Sequence, residues 1–203
     1  MRRQIPPLLY VPLVVANYLP PKPADHLLIS EVCYAASKEQ EWVEIANPTQ
    51  ETVDLTFYRI GDAQSGDVFE GMYRFPPGAA LPPQQTLVLA SSAAAFRAAH
   101  PGLVPDFEFY ATDPSVPDLA PDPLWGTGEW HLSNEGDEVL LLDAGLTPLD
   151  VVVYGNGIYP GVEAHPGVSL STHSLERFPY AYDTDNCAVD FRDSAFPNPG
   201  ELP

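Results

Sequence analysis

Between Leu27 and Ile60 the hydrophobic residues recur with a spacing that strands can use and helices cannot. Leu27–Tyr34 (LLISEVCY) is rich in β-branched and aromatic residues and reads as a first strand. Glu41–Ala46 reads as a second, closed by Asn47-Pro48, because proline disfavours helix in the residue before it and the pair starts a turn. In Thr52–Ile60, Val53, Leu55 and Phe57 alternate with Asp54, Thr56 and Tyr58, and period two places one face on a core and the other in water. Proline points the same way. There are 24 prolines in 203 residues, more than twice the usual frequency of about 5%. Proline breaks helices and is confined to strand edges and turns, so an all-β fold with long loops is expected. A chain of this length is expected to form one domain.

Further along, Val68–Phe75 reads as a fourth strand and Thr86–Ala90 as a fifth. Ser91–His100 (SSAAAFRAAH) reads as the one short helix, capped by Ser91 or Ser92 and stopped by Pro101-Gly102. Leu103–Trp130 is a long acidic, proline-rich excursion, and loops of that length are commonly functional or disordered. Val139–Leu142 and Leu149–Tyr154 form the clearest hairpin, around Asp143-Ala144-Gly145. Gly155–Gly167 reads as a glycine-rich loop and Val168–Arg177 as the last complete strand. The domain is assigned to 27–203. Residues 1–26 read as a signal-like or spacer segment: Arg2 and Arg3 precede an apolar run, Leu8–Ala16, with a small-residue cleavage outline at Val14-Val15-Ala16. A proline-rich tether or an edge strand are the alternatives. The run is far shorter than the ~20 residues that span a bilayer, so no transmembrane span is expected.

Several of these segments carry a family resemblance. The order ISE, then WVEIANP, then VDLTFYRIGD resembles the opening of the lamin tail domain. FPPGAALPPQQTLVLA (Phe75–Ala90), LSNEGDEVLLLDAG (Leu132–Gly145) and SLERFPYAYDTDN with FPNPG (Ser174–Asn186, Phe196–Gly200) are similar to its later segments. The resemblance implies an immunoglobulin-like β-sandwich of the lamin-tail type, a fold used for interactions and found in nuclear lamins and in secreted bacterial proteins. The long Leu103–Trp130 connection departs from the family pattern.

The formal charge is −19, from 28 acidic against 9 basic residues. Such a surface repels phosphates, so no nucleic-acid partner is expected, but it suits divalent cations. Asp183, Asp185, Asn186 and Asp190 gather oxygen donors within eight residues, the hard-ligand chemistry that Ca²⁺ takes. The plainer alternative is an Asx-turn, with these side chains bonding their own backbone. Glu31 and Glu44 fall inside strand patterns, and a buried carboxylate needs a partner. Arg177 is the expected one, giving a structural ion pair of Glu31, Glu44 and Arg177.

Cys33 and Cys187 permit a disulfide joining the first strand to the C-terminal segment if the chain is exported; two unbonded thiols are the alternative. Trp125 and Trp130, at the end of the long excursion, are candidate platform aromatics for a sugar ring. The chain has no G-x-S-x-G, H-E-x-x-H, Walker or dinucleotide motif, and its five histidines are scattered. No catalytic residues are therefore assigned. The expectation is a non-catalytic, extracellular or cell-surface module with a protein or glycan partner. The alternatives are a calcium-dependent carbohydrate-binding module and a metal-dependent hydrolase or its accessory.

Overall fold

The computed structural model describes residues 22–202. Residues 1–21, most of the expected signal-like or spacer segment, lie outside the described residues. In chain order the elements are β1 (Leu28–Cys33), β2 (Trp42–Ala46), β3 (Val53–Asp54), β4 (Arg59–Gly61), β5 (Met72–Arg74), β6 (Ala80–Leu81) and β7 (Thr86–Ser92). Then follow α1 (Ala93–Ala99), β8 (Phe107–Tyr110), β9 (Ala120–Pro121), β10 (Gly136–Leu142), β11 (Pro148–Gly155), β12 (Ser174–Arg177), α2 (Cys187–Asp190) and β13 (Phe191–Ser194).

Two sheets face each other. One has the order β13-β12-β1-β2-β7-β8, the other β11-β10-β4-β5-β9, and β3 pairs with β6 in a small third sheet. Val32, Val43, Ile45, Leu89 and Leu175 from the first sheet meet Ile60, Val139, Leu141 and Val152 from the second in one core cluster. This is an all-β, immunoglobulin-like sandwich. Pairing is antiparallel except between β7 and β8. A parallel pair needs a crossover, and α1 with the turn after it supplies one. Ser92 caps that helix, accepting from the Ala95 N–H at 3.2 Å.

Three expected strands are shorter than their sequence patterns. Thr52–Ile60 divides into β3 and β4, which belong to different sheets. Asp54 accepts the Thr56 N–H at 2.9 Å, starting a turn in mid-pattern, and Phe57 is left exposed. In Val68–Phe75 only Met72–Arg74 forms a strand, with Glu70 and Gly71 making isolated bridges to Glu129 and Thr127, and in Val168–Arg177 only Ser174–Arg177 does. Conversely, the Leu103–Trp130 excursion contains β8 and β9, which extend one edge of each large sheet.

The five-stranded sheet is apolar on both faces. Val139 and Leu141 point into the sandwich, whereas Leu140, Leu142, Val151 and Val153 form a second cluster with Ala63 and Met72. Trp125, Tyr159, Val162 and Ala164 pack over that second cluster. The covering loops are held in place by the architecture beneath them, and they set the candidate site.

Candidate functional site

Two of the candidate ion ligands, Asp183 and Asp190, lie against an arginine. Arg177, on β12, points into the sandwich with its side chain 1% exposed. Its Nη2 donates to both oxygens of Asp150 on β11 (2.8 and 2.7 Å), Nε to the Ile29 carbonyl (2.9 Å), and Nη1 to the Tyr182 carbonyl (2.9 Å) and Asp183 (3.2 Å). Asp150 also accepts the Ile29 N–H at 2.7 Å. The guanidinium lies over the Phe191 ring, 4.5 Å from its centroid. Burial opposes the arginine charge, but Asp150, Asp183 and Asp190 outweigh it and hold its pKa above the ordinary value. Burial likewise pushes the Asp150 carboxyl up, and Arg177 pulls it back.

Two further side chains of the Asp183–Asp190 segment are also engaged. Asp190 accepts from the Thr184 N–H (2.9 Å) and hydroxyl (2.8 Å), and the Asn186 amide donates to Glu163 at 2.7 Å. Asp185 donates its N–H to Asp183 at 3.2 Å. Among the described residues, no group of three or more His, Cys, Asp or Glu side chains is arranged to hold a metal ion. The bonds of Asp183 and Asp190 follow the Asx-turn alternative, while the Asn186 amide oxygen is buried without a hydrogen-bond partner.

The expected ion pair of Glu31 and Glu44 with Arg177 does not form. Period two places Glu176, not Arg177, on the face that Glu31 and Glu44 share, and Glu31 lies opposite both Glu44 and Glu176 in register. These three buried glutamates form a row across β12, β1 and β2. Ser174 donates to Glu31 and Ser30 to Glu44 (2.6 Å). Arg192 meets Glu176 at 2.7 Å, and the Gly200 N–H meets Glu44 at 2.7 Å. Asn198, with its amide nitrogen turned toward the row, reaches Glu176 and Glu31 at 3.3 Å. The C-terminal segment is thus fastened over the row.

Burial raises Glu31 from 4.5 to about 8 and Glu44 to about 7. Glu41 and Asp62, which accept loop N–H groups of Leu132, Gly71 and His131, are each raised to about 8, again by burial. The folded state therefore holds protons that the unfolded chain has released. The resulting stability is fully present below the ordinary carboxylate range and is lost as pH rises through 7 to 8. The melting temperature is expected to be higher at pH 6 than at pH 9, and Glu31→Gln to flatten that slope. A melting temperature that rises from pH 6 to 9 would show that the row is ionised in the fold.

Cys33 and Cys187 are both buried and free. Of the two alternatives the structure has the unbonded thiols, which occupy separate clusters. Cys33 packs with Trp42 and Phe96, while Cys187 lies in the inter-sheet core and accepts the Val153 N–H at 3.3 Å. Burial raises both thiols to about 12.

The two candidate tryptophans differ. Trp130 is wholly buried, stacked on Phe109 (4.1 Å, 7°), with its indole donating to Ser91 at 2.8 Å; no sugar can reach it. Trp125 is half-buried, with its indole donating to the Ala63 carbonyl at 2.8 Å. Of the histidines, His165 is buried against Tyr154, His131 meets Glu41 and His173 meets Asp193, so they do not converge.

The surface that the sequence did not disclose lies around Trp125. The β4–β5 loop is laced to the end of the long excursion by three backbone bonds, Gly66 N–H to Trp125 (2.8 Å), Thr127 to Asp67 (3.0 Å) and Gly128 to Glu70 (2.9 Å), and the excursion turns on its own Gly126 N–H to Asp122 bond (3.3 Å). Gln64 ties the β10–β11 side in, donating to the Ile158 carbonyl at 3.1 Å and to Glu138. Glycine is needed at 128 because a Cβ there would fall 2.0 Å from the Phe69 backbone. These three loops expose Phe69 (85%), Leu124 (97%), Ile158 (78%) and Val68 (62%). Val68 and Phe69 fall in the stretch that reads as a fourth strand from sequence, and they lie in the loop before β5 instead.

The fold and these surfaces define a class, an immunoglobulin-like sandwich with elaborated loops. The sequence matches the lamin tail domain family over residues 20–156. The chain belongs to the lamin tail domain family, whose immunoglobulin-like domains are in general non-catalytic. A similar solved structure is that of a DUF4876 family protein from Bacteroides thetaiotaomicron: 13% identity, TM-score 0.62, with 88% of this chain and 72% of that chain covered. At that identity the likeness shows the fold. No curated protein gives a significant match. Among the described residues, no helix is long and apolar enough to cross a membrane.

Proposed function

We propose that the chain is a binding module that works outside the cell or at its surface, engaging a protein partner through the loops over the five-stranded sheet. The observation that carries this reading is the set of exposed apolar side chains gathered on three loops that hydrogen bonds lace together, since grouped apolar exposure on a folded domain marks interaction sites. The secretory outline of Arg2–Ala16 supports export. The test is a photo-crosslinking residue placed at Leu124 or, as control, at Leu170 in the full chain on intact producing cells. A protein adduct specific to position 124 is expected. Equal adducts at both positions, or none at 124, would contradict the reading.

A second reading, glycan binding, rests on a groove of about 510 Å³ lined with hydroxyl and amide groups, among them Ser37, Gln40, Asn134, Ser169 and Thr172. Such groups can orient a polar ligand. Glycan-array binding abolished by Gln40→Ala with Asn134→Ala would favour it over the protein partner.

A further inference from the structure

The charge around the exposed loops narrows the partner. Asp67 lies in the same loop as Val68 and Phe69, and its carboxylate accepts the Phe69 and Glu70 N–H groups at 2.6 and 3.1 Å. Glu70 follows directly, and Glu138 is joined to the same loop through Gln64. Among the described residues, no Lys or Arg forms an ion pair with Asp67, Glu70 or Glu138; the neighbouring Glu129 is the one that Lys38 takes, at 2.9 Å. The platform therefore pairs exposed apolar side chains with two half-buried carboxylates, Asp67 and Glu70, that meet no cation among the described residues, while Glu138 is itself buried.

We infer that this platform docks a basic amphipathic segment of another protein. The segment's apolar side chains sit on Phe69, Leu124 and Ile158, and its lysines or arginines lie against Asp67 and Glu70. This inference rests on the binding-module reading and specifies its partner.

Three lines of chemistry agree on this occupant. Exposed Phe and Leu on fixed loops give an apolar anchor that a partner can desolvate without reordering the platform. Like charges suppress wrong partners, so a chain of net charge −19 is poorly suited to self-association through an acid-rimmed face, and an anionic lipid surface is repelled. Burial, and after it crowding by Asp137, Glu138 and Asp67, raises Glu70 to about 7; an incoming cation relieves that crowding.

The test uses the full chain and a dye-labelled octapeptide alternating lysine with leucine or phenylalanine, followed by fluorescence anisotropy. Two further peptides separate the contributions, one alternating lysine with serine and one with glutamate in place of lysine. The lysine–leucine peptide is expected to bind and the other two to bind far more weakly. Phe69→Ser with Leu124→Ser, which leaves the charge unchanged, is expected to raise Kd by about tenfold or more. Leu170→Ser with Phe196→Ser, equally exposed apolar positions elsewhere, is expected to leave it unchanged. All four positions are exposed, so both double variants should melt with the parent.

Equal binding of the lysine–serine peptide, or no effect of the Phe69 and Leu124 substitutions, would overturn the inference, because bare charge attraction would then suffice. Absence of peptide binding would overturn it as well. So would co-sedimentation with zwitterionic vesicles that depends on Phe69 and Leu124, which would make the occupant a lipid surface. Crosslinking from Leu124 assumes nothing about the partner's charge, so the binding-module reading can survive any of these failures.

Discussion

Arg177→Met is expected to destabilise the protein by about 3–5 kcal/mol, because it strands the buried Asp150 carboxylate without its cation. In a domain of this size that is a fall in melting temperature on the order of 10 °C. The physical reason lies in the five donors of the guanidinium, all of which find acceptors: two on Asp150, one on Asp183 and two on backbone carbonyls. Arg177 sits on β12 and Asp150 on β11, so the pair joins the two sheets, while Tyr182 and Asp183 dock the segment that leads to α2. Asp150→Leu alone should also be costly. The double variant should lose less than the sum of the two, since an apolar pair can replace a buried ion pair at little cost. Urea unfolding of the four proteins measures the coupling. Additive losses would show that the arginine acts through Asp183 or the carbonyls instead.

Trp130→Ala is expected to cost about 3–5 kcal/mol, the range for truncating a large buried aromatic. The side chain is wholly buried, stacked on Phe109, and its indole and backbone N–H groups engage Ser91 and the Tyr73 hydroxyl. Its loss would leave a cavity and a buried hydroxyl short of a partner. Trp130→Phe should cost less, retaining the stack and losing the hydrogen bond. Denaturant unfolding at constant pH reads both, and near-equal costs would show that the hydrogen bond contributes little. The tryptophan chosen from sequence as a sugar platform is thus a core residue, and its effect should be on stability.

The sandwich was legible because period two in β1 and β2, the β10–β11 hairpin and the Ser92-capped helix are local patterns with local causes. The family's opening motifs fall in the same stretch. The C-terminal segment lies beyond the matched residues 20–156, yet β12 and β13 complete one sheet, which its SLER motif foreshadowed only in part. What failed was partner choice. A buried carboxylate in a strand pattern announces that it needs a donor, but not which face it occupies. Glu31 and Glu44 find Asn198, Gly200 and two serines on one face of the sheet, while Arg177 turns to the other and finds Asp150, 27 residues away in sequence. The acids of DTDN read as ion ligands because sequence displays their oxygens and hides the N–H groups that engage them. Phe69 and Leu124 were unreadable as surface for the converse reason: an apolar residue's exposure is set by the loops packed beneath it.

The acids of this domain act largely as internal acceptors, for the buried arginine and for backbone N–H groups where the sheet ladders end: Glu108 for Ala93, Thr112 and Asp113, Asp62 for Gly71 and His131, Glu41 for Leu132. A proline-rich chain with long loops has many such groups to satisfy, and an unsatisfied one is costly when buried.

The most direct measurement of this claim is thermal unfolding of the full chain in EDTA and then in millimolar calcium chloride, alongside Asp185→Ala. A ligand that binds only the folded state must raise the melting temperature. With Asp183 and Asp190 committed to Arg177 and Thr184, the melting temperature should be the same in both solutions and for both proteins. A rise of several degrees in calcium, lost in Asp185→Ala, would contradict the account by showing that the C-terminal acids serve an ion before they serve the fold.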